Sequence, residues 1–200
     1  FFVAVVVITV LLVFPHDMQP HEWEIYASSY FVTTLGLTVI GAAIGILFGM
    51  LLAFFKFQKT GNEVFNMIKD AVIDEYVDIM RGTPMMLQLL TLSFVIVVFN
   101  NYWVAAIALG LNSAAYVEET IRSGIESIDR GQMEAARATG MPYRMAMNEI
   151  IMPQAVKNIL PALVNEFINL FKETSIVGYI SVMDVTMNSK SLQAAYYSIK

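Results

Sequence analysis

The 200-residue sequence contains no cysteine, which excludes disulfides, thiolate metal sites and a cysteine nucleophile. Charge is scarce as well: 14% of residues are Asp, Glu, Lys or Arg, against 57% hydrophobic. Soluble domains carry roughly a quarter charged residues, so this balance points to one integral membrane domain. The formal net charge of −5 argues against a nucleic-acid partner. A GxxxxGKS/T phosphate loop is missing too, so no nucleotide site of that kind is expected in this chain. The opening run FFVAVVVITVLLVF lacks the charged start and small-residue cleavage site of a signal peptide. It is shorter than the roughly 20 residues a span needs and reads as the tail of a membrane helix.

What is present is a set of long apolar stretches. Residues 31–57, 83–99, 102–121 and 159–180 each approach the length that crosses a bilayer core. They lack the two-residue alternation of barrel strands, and lipid offers no partner for open backbone groups, so an all-α membrane fold is expected. Two domain segments follow: residues 1–30 as a helix end plus external loop, and 31–200 as the membrane core. Basic residues set the orientation. Lys56, Lys59, Lys69 and Arg81 border one loop and Arg122, Arg130, Arg137, Arg144 and Lys157 another, while residues 15–30 hold no Lys or Arg. The two basic loops are therefore predicted cytoplasmic and PHDMQPHEWEIYASSY external, with Trp23 and Tyr26 suited to the interface. A very short external turn is expected at Asn100 and Asn101.

Between Gly61 and Met80, apolar positions Val64, Ile68, Ala71, Val72, Tyr76 and Ile79 recur at helical spacing. They predict an amphipathic cytoplasmic helix whose acidic residues Asp70, Asp74, Glu75 and Asp78 form a solvated face. Immediately after it, Arg81, Gly82, Thr83 and Pro84 make an elbow: Gly82 breaks the chain, Thr83 can cap the next helix and Pro84 fits its first turn. His16 and His21 lie five apart beside Asp17 and Glu22, a spacing that does not share a helix face, so no metal site is expected.

The most informative stretch is EAARATGMPYRMAMNEIIMP, residues 134–153. Glu134 to Thr139 are mostly good helix formers, Gly140 can supply the left-handed residue that ends a helix, and Pro142 can start another. Small Ala135 and Ala136 would let a partner surface approach the backbone. The stretch resembles the cytoplasmic coupling loop of ABC importer permeases. That pattern, EAA, three residues, Gly, nine residues, Ile, any residue, Leu and Pro, falls on Glu134, Ala135, Ala136, Gly140, Ile150 and Pro153, with Met152 in place of Leu.

Further strings narrow the resemblance to polar amino-acid permeases of the histidine, glutamate, glutamine, arginine and opine type. YVDIMRGTPMMLQ carries the RGTP elbow and a following membrane Gln, Gln88. In NSAAYVEETIRSGI the matching positions are Asn112, Ser113, Tyr116, Glu119, Ile121, Arg122, Gly124 and Ile125. Glu118 departs: it stands where Ala is usual, near the predicted cytoplasmic end, where a carboxylate can be solvated. NEFINLFKETSIVGYI ends on a KETSI run similar to the family's own. The resemblance covers about residues 31–190, and members usually carry a further span beyond the region matching residues 181–200.

Independently of family, residues 159–180 hold Asn165, Glu166, Asn169, Lys172 and Glu173, a dense polar set for a membrane helix. Such groups are costly in lipid and face a cavity or a partner. Asn165, Asn169 and Lys172 form one i, i+4, i+7 stripe, overlapped by Glu166, Asn169 and Glu173. Two readings stay open, a lined pathway or ion pairs that hold helices together. Gln88, Asn112, Ser113 and Tyr116 are neutral donors and acceptors suited to an amino acid's ammonium and carboxylate, or to bonding one another.

The resemblance implies the permease of an ATP-driven importer, working by alternating access in a prokaryotic cytoplasmic membrane. It would be no enzyme itself. Its partners would be two ABC ATPase subunits that bind ATP and Mg, an extracytoplasmic solute-binding protein, a second permease (identical or sister) and membrane lipid. Two alternatives differ in class: a membrane enzyme using Glu166, Lys172 or Glu173 as acid and base, and a scaffold subunit without a transport path. A nearer alternative is an ABC permease for methionine, an opine or a compatible solute.

Overall fold

The computed structural model describes residues 20–197. Among these residues its elements are all helices joined by short loops, with no strand, as the all-α expectation required. The helix tail ending at Phe14, together with His16 and Asp17, lies outside the described residues.

The chain opens with α1, Pro20–Ser28, passes through wide π turns at Ser29–Leu35 and continues into α2, Gly36–Phe57. The result is one helical stretch of 38 residues, the only described helix both long and apolar enough to cross a bilayer unaided. The expected external loop is therefore helical from residue 20, and the boundary drawn at residue 30 falls within this helix. Hydroxyl residues that often end helices turn inward here instead. The Thr34 hydroxyl donates to Ser29 O at 3.3 Å and the Thr38 hydroxyl to Thr34 O at 2.7 Å, back-bonds that accompany the widened turns here.

Helix α2 buries Leu37, Gly41, Gly45, Gly49 and Ala53, one residue every four. This small-residue stripe lies against α5, Asn101–Glu126, and two backbones come close as in other membrane helix pairs. A Cβ on Gly45 would sit 2.6 Å from Ser113 Oγ, and one on Gly49 2.7 Å from the Ala114 carbonyl oxygen. The opposite face of α2 presents Leu47, Leu51 and Phe54 outward. Helix α5 is the centre of the bundle, covered from Val104 through Glu118 by its neighbours.

Between them run α3, Glu63–Gly82, and α4, Met85–Val95. The predicted helix at 61–80 is present, with Asp74, Glu75 and Asp78 exposed as expected, but the face it turns to the bundle differs. Ile73 and Val77 are buried beside Ala115, and Tyr76 donates to the Leu111 carbonyl, halfway along α5, at 2.6 Å. Val64, Ile68, Val72 and Ile79, assigned to the buried face, point outward. Apolarity marks the inner face only where the outside is water; against lipid, apolar residues are equally stable outside. Correspondingly, the span expected at 83–99 shortens to the 11 residues of α4. That is about 16 Å, well short of the roughly 30 Å of a bilayer core. A loop of five residues, 96–100, leads to α5, where Asn100 Oδ1 accepts from Trp103 N at 3.2 Å.

After α5 come two short helices, α6 (Arg130–Ala138) and α7 (Tyr143–Ala146). A π segment at Met147–Ile151 then joins α7 to α8, Met152–Glu173. The expected span 159–180 is in fact α8 from Met152, followed by 3₁₀ turns at Thr174–Ile180 that stop at Ser181, φ 63°. Finally α9, Val185–Tyr197, is capped by the buried Asp184, which accepts from Thr186 N at 3.0 Å and Met187 N at 2.9 Å. It returns to the first helix, with Asn188 Nδ2 donating to Ile25 O at 3.4 Å.

Candidate functional site

The loop at residues 134–153 is a helix, a turn and a second helix. Glu134 to Ala136 lie on α6, begun by Asp129, whose carboxylate accepts from Gly131 N at 2.6 Å. The turn closes as sequence spacing predicts. Gly140 takes φ +87°, its N–H bonds Arg137 O at 3.0 Å, and Met141 N bonds Ala136 O at 3.2 Å, the paired pattern of a left-handed helix stop. The Arg137 guanidinium then donates to Met141 O at 3.0 Å. Ala136 is buried, whereas Glu134 and Ala135 are exposed. Pro142 is extended and α7 starts directly after it. Ile150 is half-buried and Pro153 exposed, inside a helical run that continues unbroken to Glu173. The π turns just before Pro153 make room for a ring that has no N–H and would crowd the preceding turn. The arrangement therefore offers an exposed acidic and small-residue knob, anchored by Ala136 from behind.

A second cluster surrounds the break between α3 and α4. Gln88 Nε2 lies 2.8 Å from Met80 O and 2.7 Å from Thr83 Oγ1, while Asn112 Nδ2 donates to Gln88 Oε1 at 3.0 Å and to Met80 O at 3.2 Å. These groups satisfy one another and the carbonyls left open by the Gly82–Thr83–Pro84 break. Thr83 does not cap α4; its hydroxyl donates back to Ile79 O at 2.8 Å, and the residue at the cap position is Pro84. A cavity of about 270 Å3 opens beside them, lined by Thr83, Leu87, Gln88 and Thr91 among others. Tyr116 lies elsewhere, its ring under the Arg81 guanidinium at 5.6 Å, and Arg81 also pairs with Glu119 at 3.4 Å. Ser113 is buried against Gly45 and faces Glu166 of α8.

On α8 the polar residues separate into two faces. Asn165, Asn169 and Lys172 are exposed, forming the i, i+4, i+7 stripe on the outside of this chain, and Lys172 makes no ion pair among the described residues. Glu166 and Glu173 are half-buried on an adjacent face. The structure thus joins Gln88 to Asn112 and Ser113 to Glu166, but does not gather the polar residues around one point.

Several basic residues pair around the C-terminal end of α2, the start of α3 and the end of α5. Lys59 and Lys69 both pair with Asp70, the latter at 3.3 Å, and Lys69 also bonds the carbonyls of Phe55 and Gln58, each at 2.6 Å. A lysine of α3 thereby closes the C-terminus of α2. Arg122 holds Glu119 and Glu126, both at 2.6 Å. Glu118, expected to be solvated near this end, is instead fully buried, because α2 and α3 cover that face of α5. Sequence alone marks Lys56 only as a loop-border cation and Asp74 as part of a solvated acidic face, neither as a partner of Glu118. The only signal there was the departure of Glu118 itself.

Comparison with known proteins places this geometry. The family profile of binding-protein-dependent transport system inner membrane components matches residues 45–194. The arginine transport system permease protein ArtQ of Bacillus subtilis is 41% identical over 170 residues, spanning 82% of this chain and 75% of that protein. The nopaline transport system permease protein NocM of Agrobacterium fabrum is 33% identical over 180 residues, spanning 83% and 72%. A crystal structure of an amino acid ABC transporter with histidines superposes with a TM-score of 0.76 at 38% identity, covering 87% of this chain and 80% of that one. The inward-facing methionine transporter MetNI, at 17% identity and a TM-score of 0.67 over 92% of this chain and 86% of that one, shares the fold.

Proposed function

Because the chain belongs to the family of binding-protein-dependent transport system inner membrane components, we propose that it is the transmembrane permease of an ATP-driven amino-acid importer in a prokaryotic cytoplasmic membrane. The observation that carries the substrate class is the 41% identity to an arginine permease over most of both chains. In this reading, a solute-binding protein delivers the amino acid to the outer end. Two ATPase subunits, which bind ATP and Mg, grip the knob at Glu134, Ala135 and Ala136. A second permease, identical or sister, completes the membrane unit, and the exposed stripe of Asn165, Asn169 and Lys172 faces the pathway between the two. Alternating access is then a two-state helix bundle biased from both ends. Gln88, Asn112, Ser113 and Tyr116 border that pathway, and Arg81, Gly82, Thr83 and Pro84 form the hinge between α3 and α4.

The exposure of Glu134 beside a buried Ala136 makes the test direct. Glu134→Arg in the reconstituted complex should abolish solute-stimulated ATP hydrolysis while the permease remains folded; unchanged stimulation would refute the coupling role. A second reading, a permease for an opine, is supported by the 33% identity to a nopaline permease, and binding-protein exchange separates the two.

A further inference from the structure

The Glu118 side chain has no exposed surface, and neither of its carboxylate oxygens accepts a hydrogen bond. Other nearby cations are committed: Arg122 to Glu119 and Glu126, Arg81 to Glu119, and Lys59 and Lys69 to Asp70. The remaining one is Lys56, whose ammonium lies 3.7 Å from Glu118 Oε1 while bonded directly to Asp74. Three helices meet in this triad: Lys56 ends α2, Asp74 is on α3 and Glu118 is on α5. The two carboxylates differ sharply in setting, since the Asp74 side chain is 53% exposed and that of Glu118 0%. A bond to Asp74 is weakened by water. A bond to Glu118 gains from the low dielectric but requires a fully dry contact. The ammonium thus has two carboxylates within reach in opposite settings, and the present arrangement leaves a buried carboxylate without the hydrogen bond it needs.

We propose that Lys56 and Glu118 are positioning residues of the transport cycle. The Lys56 ammonium, bound to Asp74 in the conformation described here, transfers to Glu118 when α3 draws back from the α2–α5 pair, so that α3 is held in either of two places. The proposal rests on the transport reading above. The consequence reaches the membrane interior through α3 itself, because its Met80 carbonyl receives both Gln88 and Asn112. Moving α3 moves the break between α3 and α4 and the cavity beside it.

The lack of native cysteine makes the test clean. Cysteines replacing the exposed Met67 on α3 and Leu47 on α2 carry spin labels, with labelled permease diluted by unlabelled copies. The full complex with its ATPase and binding protein is placed in lipid nanodiscs, and the interlabel distance distribution is read with and without ATP. The unsubstituted triad should give two populations whose ratio responds to ATP. Glu118→Gln should enrich the population with Lys56 on Asp74, and Asp74→Asn the other, each by several-fold and in opposite directions. Shifts in the same direction, or none, overturn the exchange and leave a static clamp. Absence of an ATP response with the native triad also overturns the exchange, while loss of solute-stimulated ATP hydrolysis in the same labelled complex would instead refute the transport reading beneath it. A second readout is independent of motion. Lys56→Met strands a buried carboxylate and should cut the yield of assembled complex about tenfold or more, and Lys56→Met with Glu118→Gln should restore most of it. Normal assembly of the single variant, or no recovery in the double, also overturns the proposal.

Discussion

At the scale of single residues, two glycines carry opposite constraints. Gly140 has open space around it but a φ of +87°, so Gly140→Ala should cost roughly 1–2 kcal/mol through backbone strain, seen as a lower thermal midpoint of the purified permease. Gly49 is ordinary in backbone but has the Ala114 carbonyl where a Cβ would stand. Gly49→Ala should cost about 1–3 kcal/mol by forcing α2 and α5 apart. Gly61, with nothing within 4 Å and no positive φ, is the matched control, and Gly61→Ala should be neutral or slightly stabilising by the same measurement. The first of these roles was legible from sequence, since a glycine after a helix-forming run signals a stop. The second was not, because packing at Gly49 depends on which residues of α5 arrive opposite.

Helices and their junctions explain where sequence reading succeeded and where it failed. Helix α3 was legible in extent, because Asn62 caps it, accepting from Phe65 N at 3.1 Å, and Gly82 ends it. Its inner face was not, since lipid removes the contrast that periodicity relies on. The short α4 was misjudged for a related reason: an apolar run shows that a segment tolerates lipid, not that it is helical over its whole length. At the junction of these helices the Gln88 amide nitrogen, with two hydrogens to donate, lies within reach of Met80 O, Thr83 O and Thr83 Oγ1, and its oxygen accepts from Asn112. Gln88→Leu should therefore destabilise the permease by about 1–3 kcal/mol, a loss visible without any solute; full stability with weakened transport would mark Gln88 as a solute ligand only. The junction of α2 and α3 is tied by Asp70. Its bond from Lys59, with Lys69 alongside, holds its carboxyl below the usual 3.8 despite partial burial. A depressed folded-state pKa gives stability that is present above the unfolded value and lost as pH falls through the folded one. Asp70→Asn should accordingly lower stability at neutral pH and flatten the decline below about pH 3.8, followed by denaturation across an acid series.

For the molecule as a whole, the membrane setting and the loop of Glu134 to Pro153 were legible because each is written locally, in composition and in spacing. The grouping of Lys56, Asp74 and Glu118 was not, since it joins positions 18 and more residues apart through three helices. The same holds for the pathway. The stripe on α8 could be read from periodicity, but only the folded chain shows Asn165, Asn169 and Lys172 turned away from its own core. A chain of this family acts with partners, so its role in transport is best tested in their company. The measurement is ATP hydrolysis by the permease with its ATPase and binding protein in lipid, titrated with each of the twenty amino acids. Stimulation by one polar group of amino acids, abolished by Glu134→Arg, is the expected result. A flat response to all twenty from an intact, ATP-competent complex would contradict the assignment to amino-acid import.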